Sequence, residues 1–437
     1  NPPTYPDGFD IEVFTFKKLS EAFKLVKKKY DTEHVTPFII RKSKKKFNFT
    51  LNRDLSNFRL TLDEDIDLRV LNNVFSKLKH FVYFKTDDLL KLISKQKNIF
   101  QENMTIKRNI GSRLCSGQKL WRRAINIIPG GNMLLSKRPE MFLPDLWPTY
   151  FSKSKDCNVW DLDGKKYTDL ATMSVGTNIL GYSNNKINNS VIKSIQKGNM
   201  SSLNCPEEVY LSEKLLKMHN GFDMVRYAKT GGEANSIAIR IARAHTNRDN
   251  IAICGYHGWH DWYLSANLSS KKNLTNHLLP GLSAYGVPKK LKNTVFPFEY
   301  NDIQNFYKIC KEKNIGIVKM EVYRNFPPKN NFLKKIRKFF NENNIVLIFD
   351  ECTSGFRESF GGLHLNYGVS PDLTVLGKAL GNGYSITSVL GTETVMNSSQ
   401  STFISSTFFT ERLGFVAGLA SLEEMERTKS WEVISQR

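Results

Sequence analysis

The stretch Asn344–Leu390, NIVLIFDECTSGFRESFGGLHLNYGVSPDLTVLGKALGNGYSITSVL, constrains this chain more than any other. Two short apolar runs in it, Ile345–Phe349 and Leu373–Leu376, have the length and β-branched content of buried strands. Each ends on a charge: Asp350 directly after the first run, Lys378 one glycine after the second. In an open parallel sheet the carboxyl ends of the strands form the rim where ligands bind. Taken by themselves, two solvated charges capping two strands are the simpler reading.

The sharper reading is that an acid and an amine on one rim hold one cofactor between them. Pyridoxal phosphate suits such a pair. A lysine condenses with its aldehyde, and a carboxylate keeps its ring nitrogen protonated so that the ring accepts electrons. The rest of the chain has to decide between the two.

At 437 residues the chain is long enough for more than one domain and a large core. No apolar run is long enough to span a bilayer, and the acidic, turn-rich start NPPTYPDGFD is unlike a secretory signal. The first residue is Asn, so the chain is expected to begin inside a longer one. The formal charge of +21 comes from 63 Lys+Arg against 42 Asp+Glu, spread along the whole length. Only Arg41–Lys46 is a dense basic cluster, and it lacks the interleaved aromatics of a single-strand binder, so no nucleic-acid partner and no membrane partner is expected. Six scattered cysteines without a CxxC pair, and eight histidines without ligand spacing, argue against a zinc site or a disulfide framework. They fit a reducing, cytoplasmic location.

Residues 1–112 read as one unit with a helical extension, 113–118 as a linker, and 119–437 as the main domain. In the first, Phe9–Phe16 and Phe58–Leu62 have strand-like patterns, while Lys18–Tyr30 and Asp67–Leu78 have helical spacing. The helical KLWRRAINII follows the linker and closes at Pro129-Gly130-Gly131. Val159–Leu162 and Lys166–Leu170 flank an Asp163-Gly164 turn and read as a hairpin. Met224–Ala228 is another strand candidate; Gly231-Gly232 and a helical run to His245 follow it. A strand, a glycine turn and a helix start can cradle a phosphate, although the same turn can simply join strand to helix. Ile251–Cys254 leads into Gly255-Tyr256-His257-Gly258, whose rings can lie against a planar ligand or pack in the core. Ile315–Met320 is a further strand, and Phe332–Asn343 a helix.

Two resemblances emerge from these pieces. YPDGFDIEVF, EHVTPFI and FRLTLDEDIDLRVLNNVF resemble the C-terminal part of the cytidylyltransferases that activate acidic sugars. The resemblance implies that Asp63 matches a magnesium ligand. The family's nucleotide loop has no counterpart here, so Asp63 is expected to be a vestigial ligand or a strand-end cap, with no metal and no nucleotidyl transfer.

From Lys119 onward, IPGG, VWDLDGKKYTDL, TGGEAN, GYHG, FDECTSGFR, YGVSPDL and GKALGNGY together resemble the class III, fold-type-I pyridoxal-phosphate aminotransferases, especially the branch of glutamate-1-semialdehyde 2,1-aminomutase. The resemblance implies an α/β fold: a large domain with a mostly parallel seven-stranded sheet between helices, here preceded by a partial nucleotidyltransferase-like α/β segment. It also implies that the C-terminal small domain is missing, since the chain stops inside the helical run GLASLEEMERT, and that the chain alone is of doubtful activity.

Carried over by motif, Lys378 binds the cofactor's aldehyde and shuttles the proton, and Asp350 pairs with the ring nitrogen. Gly231 and Gly232 hold the phosphate, Tyr256 stacks on the ring with His257 beside it, and Cys352 packs on the other face where valine is usual. Thr407 matches a residue that reaches the phosphate of a neighbouring subunit, which implies a homodimer. Small-molecule amino donors and carbonyl acceptors are the implied partners. NMLLSKRPEMF departs from the aminomutase's substrate-carboxylate segment, leaving Arg138 as a candidate for that role beside the simpler reading of a surface arginine. A transaminase serving a sugar-precursor or polysaccharide pathway, without nucleotidyl transfer of its own, is the expected function, with an intramolecular aminomutase as the alternative.

Overall fold

In the computed structural model, residues 3–26, 31, 36–78, 83–104, 115–144, 146–170, 173–277 and 283–436 are described. The chain divides into two compact units, Asn1–Phe151 with Asp161–Asp163, and Ser152–Trp160 with Gly164–Arg437. The compact division therefore falls near residue 151, later than the break expected at 113–118. Residues 113–114 of that linker lie outside the described residues, and 116–118 are the first turn of a helix.

The N-terminal unit contains α1 (Phe16–Leu25), α2 (Pro37–Lys42), α3 (Asp65–Leu78), α4 (Thr86–Lys95) and α5 (Ser116–Ile127). The helical spacing of 18–30 is realised as far as Leu25; residues 27–30 lie outside the described ones. Up to residue 150, no strand forms among the described residues. Phe9–Phe16 has no ladder partner, and within Phe58–Leu62 only Arg59 makes an isolated bridge, to Asp7. Alternating polarity needs a neighbouring strand to become a sheet, and neither run has one. Its core joins Val70, Val74 and Leu78 of α3 to Leu89 and Ile93 of α4, with Leu55, Phe58 and Phe100.

Asp63 caps no strand. Its carboxylate, 68% exposed, accepts from Arg59 Nη2 at 2.9 Å. The same guanidinium donates to Asp67 from Nε (3.0 Å) and Nη2 (2.9 Å) and to Asp7 from Nη1 (3.1 Å). Asp67 also accepts from Asn103 at 2.9 Å and from the Asp63 and Glu64 amides at 3.1 Å each. Burial opposes its charge, yet these donors hold its pKa down at about 2. Here a guanidinium serves as the cation among the carboxylates, and no cluster fit for a metal occurs among the described residues.

In the second unit, β1 (Phe151–Lys155), β2 (Asn158–Asp161) and β3 (Lys166–Thr168) form a small sheet in which β2 and β3 are the antiparallel hairpin expected around Asp163-Gly164. The main sheet comprises β4 (Met224–Ala228), β5 (Ile251–Cys254), β6 (Val295–Pro297), β7 (Ile317–Met320), β8 (Val346–Glu351), β9 (Leu373–Leu376) and β10 (Thr387–Gly391) in the order β4-β10-β9-β8-β7-β5-β6. It is parallel from β6 to β9, while β10 runs antiparallel to β9 and β4.

Successive side chains on these strands alternate between two cores, because neighbouring Cβ atoms leave opposite faces of a pleated strand. Ile253, Ile317, Ile348 and Val375 pack with Ala234, Ile237, Ala238, Ile241 and Ala242 of α6 (Gly231–Thr246). Ala252, Val318, Leu347 and Phe349 pack on the other side with α7 (Ile303–Glu312) and α8 (Phe332–Asn343). Helices on both faces explain why these strands are apolar throughout rather than alternating. The carboxyl ends of β5, β7, β8 and β9 therefore share one rim. Among the described residues no helix is long and apolar enough to cross a membrane, and all six cysteines are free.

Candidate active site

Asp350 and Lys378 stand on adjacent strands, at the end of β8 and just beyond β9. Asp350 is buried; its Oδ2 lies 2.9 Å from His257 Nδ1, and its Oδ1 accepts from the Cys352 amide at 3.1 Å. Burial alone would raise this pKa, but the Lys319 charge and the His257 hydrogen bond hold the carboxyl well below the usual carboxylate range.

Lys378 has a left-handed backbone, φ 42°, rare for a bulky residue and found where the surroundings enforce it. Its Nζ donates to Thr353 Oγ1 at 2.8 Å. Burial lowers its pKa, partly countered by Cys352 and Asp350, as suits an amine that must shed its proton to attack a carbonyl. A Cβ on the preceding Gly377 would lie 2.9 Å from Thr387 Cγ2, so a side chain there would crowd the strand beside it.

Gly231 and Gly232 open α6. Thr230 Oγ1 caps the Glu233 amide at 3.3 Å, and Glu233 reaches back to the Lys229 and Thr230 amides at 3.1 and 2.9 Å. This capping box leaves the Gly231 and Gly232 N–H groups at the positive end of a 16-residue helix without a partner among the described residues. Side chains could not be added freely. A Cβ on Gly231 would lie 3.3 Å from Cys352 Sγ, and one on Gly232 would lie 3.1 Å from His260 Cε1. His260 Nδ1 itself sits 2.7 Å from the Gly232 carbonyl oxygen and 2.8 Å from Ser236 Oγ.

Tyr256 is 38% exposed, packed edge-on to Tyr263, while its amide donates to Glu321 Oε2 at 3.3 Å. His257 is fully buried between Asp350 and Trp262, and its Nε2 has no partner among the described residues. Cys352 contacts the glycine turn, and burial raises its pKa, keeping a neutral, apolar-like thiol. Asp350, His257, Cys352, Gly231 and Gly232 are thus brought together, with Tyr256 and Lys378 on the same rim. Thr407 stands exposed on a separate turn, Thr407–Thr410, and no hydrogen bond among the described residues links it to the other seven. Arg138, in the N-terminal unit, packs its guanidinium over Gly130 with Nε buried.

Three further groups belong to this rim. Thr353 receives the Lys378 amine. Glu321 follows β7 and is buried; burial, with Asp350 adding to it, raises its pKa to about 7. Its position after an apolar run is the same signal that singled out Asp350. Lys319, inside β7, is fully buried, and its Nζ has no hydrogen-bond partner among the described residues.

A buried carboxylate, a desolvated amine and two free amides at a helix N-terminus are the donor set that pyridoxal phosphate requires, so the residues present fit that cofactor. The comparisons agree. The family model "Aminotransferase class-III" matches residues 145–436. The chain is 34% identical to 3-aminobutyryl-CoA aminotransferase of Cloacimonas acidaminovorans, over 74% of this chain and 76% of that protein. It is 32% identical to glutamate-1-semialdehyde 2,1-aminomutase of Archaeoglobus fulgidus, over 72% and 75%. Among solved structures, the PLP internal aldimine form of the FumI protein of Sphingopyxis superposes with a TM-score of 0.65 at 25% identity, covering 72% of this chain and 74% of that one. The chain belongs to the class III aminotransferase family. It is a pyridoxal-phosphate-dependent enzyme of the aminotransferase and aminomutase type, acting on small-molecule amino donors and carbonyl acceptors.

Proposed function

We propose that the enzyme is a transaminase working in two half-reactions, taking the amino group of a donor such as glutamate and placing it on a carbonyl of a carbohydrate or small acid. The observation that carries this reading is the pairing of Asp350 and Lys378 on adjacent strand ends, beside the unpartnered amides of Gly231 and Gly232. When bound, the cofactor supplies an aldehyde that takes up amino groups and a ring that accepts electrons. In this reading Asp350 holds the ring nitrogen, its charge satisfied by the pyridinium rather than buried alone. Gly231 and Gly232 donate to the phosphate. Tyr256 offers a ring face, with His257 beside it and Cys352 packing the other face. Lys378, its proton affinity lowered by burial, takes the proton from the substrate carbon and returns it where the amino group ends.

The 32% identity to an aminomutase supports a second reading, in which one amino group is returned within the same substrate. Mixing the pyridoxamine-loaded enzyme with 2-oxoglutarate separates the two. Rapid recovery of the aldehyde-form absorbance supports the transaminase; no recovery sinks it in favour of the aminomutase.

A setting in sugar-precursor or polysaccharide synthesis rests on the likeness of Tyr5–Phe14 and Phe58–Phe75 to a cytidylyltransferase. Magnesium-dependent release of pyrophosphate from CTP is expected to be absent. A homodimer, with Thr407 reaching the partner's phosphate site, completes the reading; a monomer at working concentration in analytical ultracentrifugation contradicts it.

A further inference from the structure

Lys319 occupies a position where an amine is costly. β7 is buried along its length, and Lys319 pairs in register with Ile253 on one side and Ile348 on the other, near the middle of the sheet. Residues in register on parallel neighbours share a face, and Ile348 and Asp350 are two apart on β8. Lys319 and Asp350 therefore leave the sheet on the same side. Lys319 is 0% exposed and, among the described residues, its Nζ neither forms an ion pair within contact distance nor donates a hydrogen bond. Taking an ammonium out of water costs several kcal/mol unless nearby charge offsets it.

The charged and titratable groups acting on Lys319 are Asp350 and Cys352 at the end of β8 and Glu321 two residues further along its own strand. Lys319 acts in turn on His257, which also feels His277. Asp350 is both the largest favourable influence on Lys319 and the group for which Lys319 is the largest favourable influence. The strongest offset to the buried cation is therefore the carboxylate on the same face of the neighbouring strand.

We infer that Lys319 is a positioning residue that stands behind Asp350, keeps it a carboxylate, and partly neutralises the charge it offers to the ring nitrogen of pyridoxal phosphate. This rests on the reading that Asp350 holds that nitrogen. A carboxylate shared with a second cation attracts the pyridinium proton less strongly, because the Lys319 charge repels it at the same time. The ring is then less firmly protonated than it would be over an unshared aspartate, so Lys319 sets how strongly the cofactor draws electrons. Before the cofactor arrives, the same ammonium prevents Asp350 from being an uncompensated buried charge.

The test follows the protonation of isotope-labelled ring nitrogen by NMR, across a pH series, in the cofactor-loaded full chain. Lys319→Met removes the charge at similar volume, and Lys319→Arg retains it. The expected result is a midpoint raised by about one pH unit or more in Lys319→Met, a tenfold change in proton affinity, and unmoved in Lys319→Arg. In the cofactor-free protein, the Asp350 carboxyl signal, assigned by its loss in Asp350→Asn, should titrate at higher pH in Lys319→Met. Equal midpoints in wild type and Lys319→Met overturn the inference. Should Lys319→Met fail to fold, Lys319→Gln carries the same comparison. Asp350→Asn tests the reading beneath it: an unchanged ring-nitrogen signal in that variant removes Asp350 from the ring, and the role of Lys319 with it.

Discussion

Asp67 in the N-terminal unit and Asp350 in the sheet unit are both buried carboxylates held ionised by nearby cations, yet they end in opposite conditions. Around Asp67, the Arg59 fork, Asn103 and two backbone amides satisfy both oxygens with directed hydrogen bonds. Around Asp350, one histidine nitrogen and one amide do so, while Lys319 acts across space and, among the described residues, both Lys319 Nζ and His257 Nε2 lack partners. In the first network both oxygens of the central carboxylate are satisfied by directed donors. The second is under-satisfied at a sheet rim, the condition expected of a site that completes itself with a ligand.

The largest effects should come from breaking each network at its centre. Lys378→Ala should lower amino-transfer turnover on the order of 10³-fold or more and abolish the lysine-dependent absorbance of the bound cofactor. A folded, cofactor-supplemented variant with unchanged absorbance would contradict the cofactor assignment of Lys378. Arg59→Met should cost about 3–5 kcal/mol by chemical denaturation, since it removes the cation from the buried Asp67 carboxylate. Lys319→Met, by contrast, withdraws a through-space charge from Asp350 but leaves its His257 and Cys352 hydrogen bonds in place and relieves the cost of a buried ammonium, so its loss of stability should be smaller than that of Arg59→Met. Similar losses in both variants would erase the distinction between the two networks.

Acid should separate the regions next. Asp67 has a folded pKa of about 2 against an ordinary 3.8, so its network contributes most above pH 4. About 2 kcal/mol is lost as pH falls from there through the folded pKa. Hydrogen exchange of α3 followed down this range should show that loss, and Asp67→Asn should flatten it. The smallest effect is expected at Gly232→Ala. Its Cβ would press on the His260 ring at 3.1 Å, so cofactor affinity should weaken a few-fold in an equilibrium titration while the fold persists.

Much of the main sheet was legible because a strand covered on both faces announces itself as a short apolar run. Met224–Ala228, Ile251–Cys254 and Leu373–Leu376 match their expected spans residue for residue. β6 escaped because it is three residues long and ends in proline, and β10 because a polar Thr-Ser start follows a glycine-rich turn. Direction was equally hidden: periodicity is the same in a parallel and an antiparallel strand. Phe9–Phe16 failed in the opposite sense, since its alternation has no neighbour to pair with.

At the site, Asp350 and Lys378 were readable as charges that stop apolar strands, and Gly231-Gly232 as a turn between strand and helix. Glu321, directly after the run Ile315–Met320, carries the same strand-end signal. Lys319 and Arg59 could not be found this way, because what distinguishes them is which carboxylates lie near them. Asp7 and Arg59 are 52 positions apart, and Lys319 and Asp350 belong to different strands.

The sequence by itself determined the local material: buried strands, a helix that begins on two glycines, and charges where the apolar runs end. Backbone propensity and burial act over a few residues, so they leave their mark there. Only the tertiary structure decided that one set of carboxylates closes on a guanidinium while another stays open between a buried lysine and the rim. Electrostatic satisfaction depends on distances between groups far apart in the chain, and those exist only once it has folded.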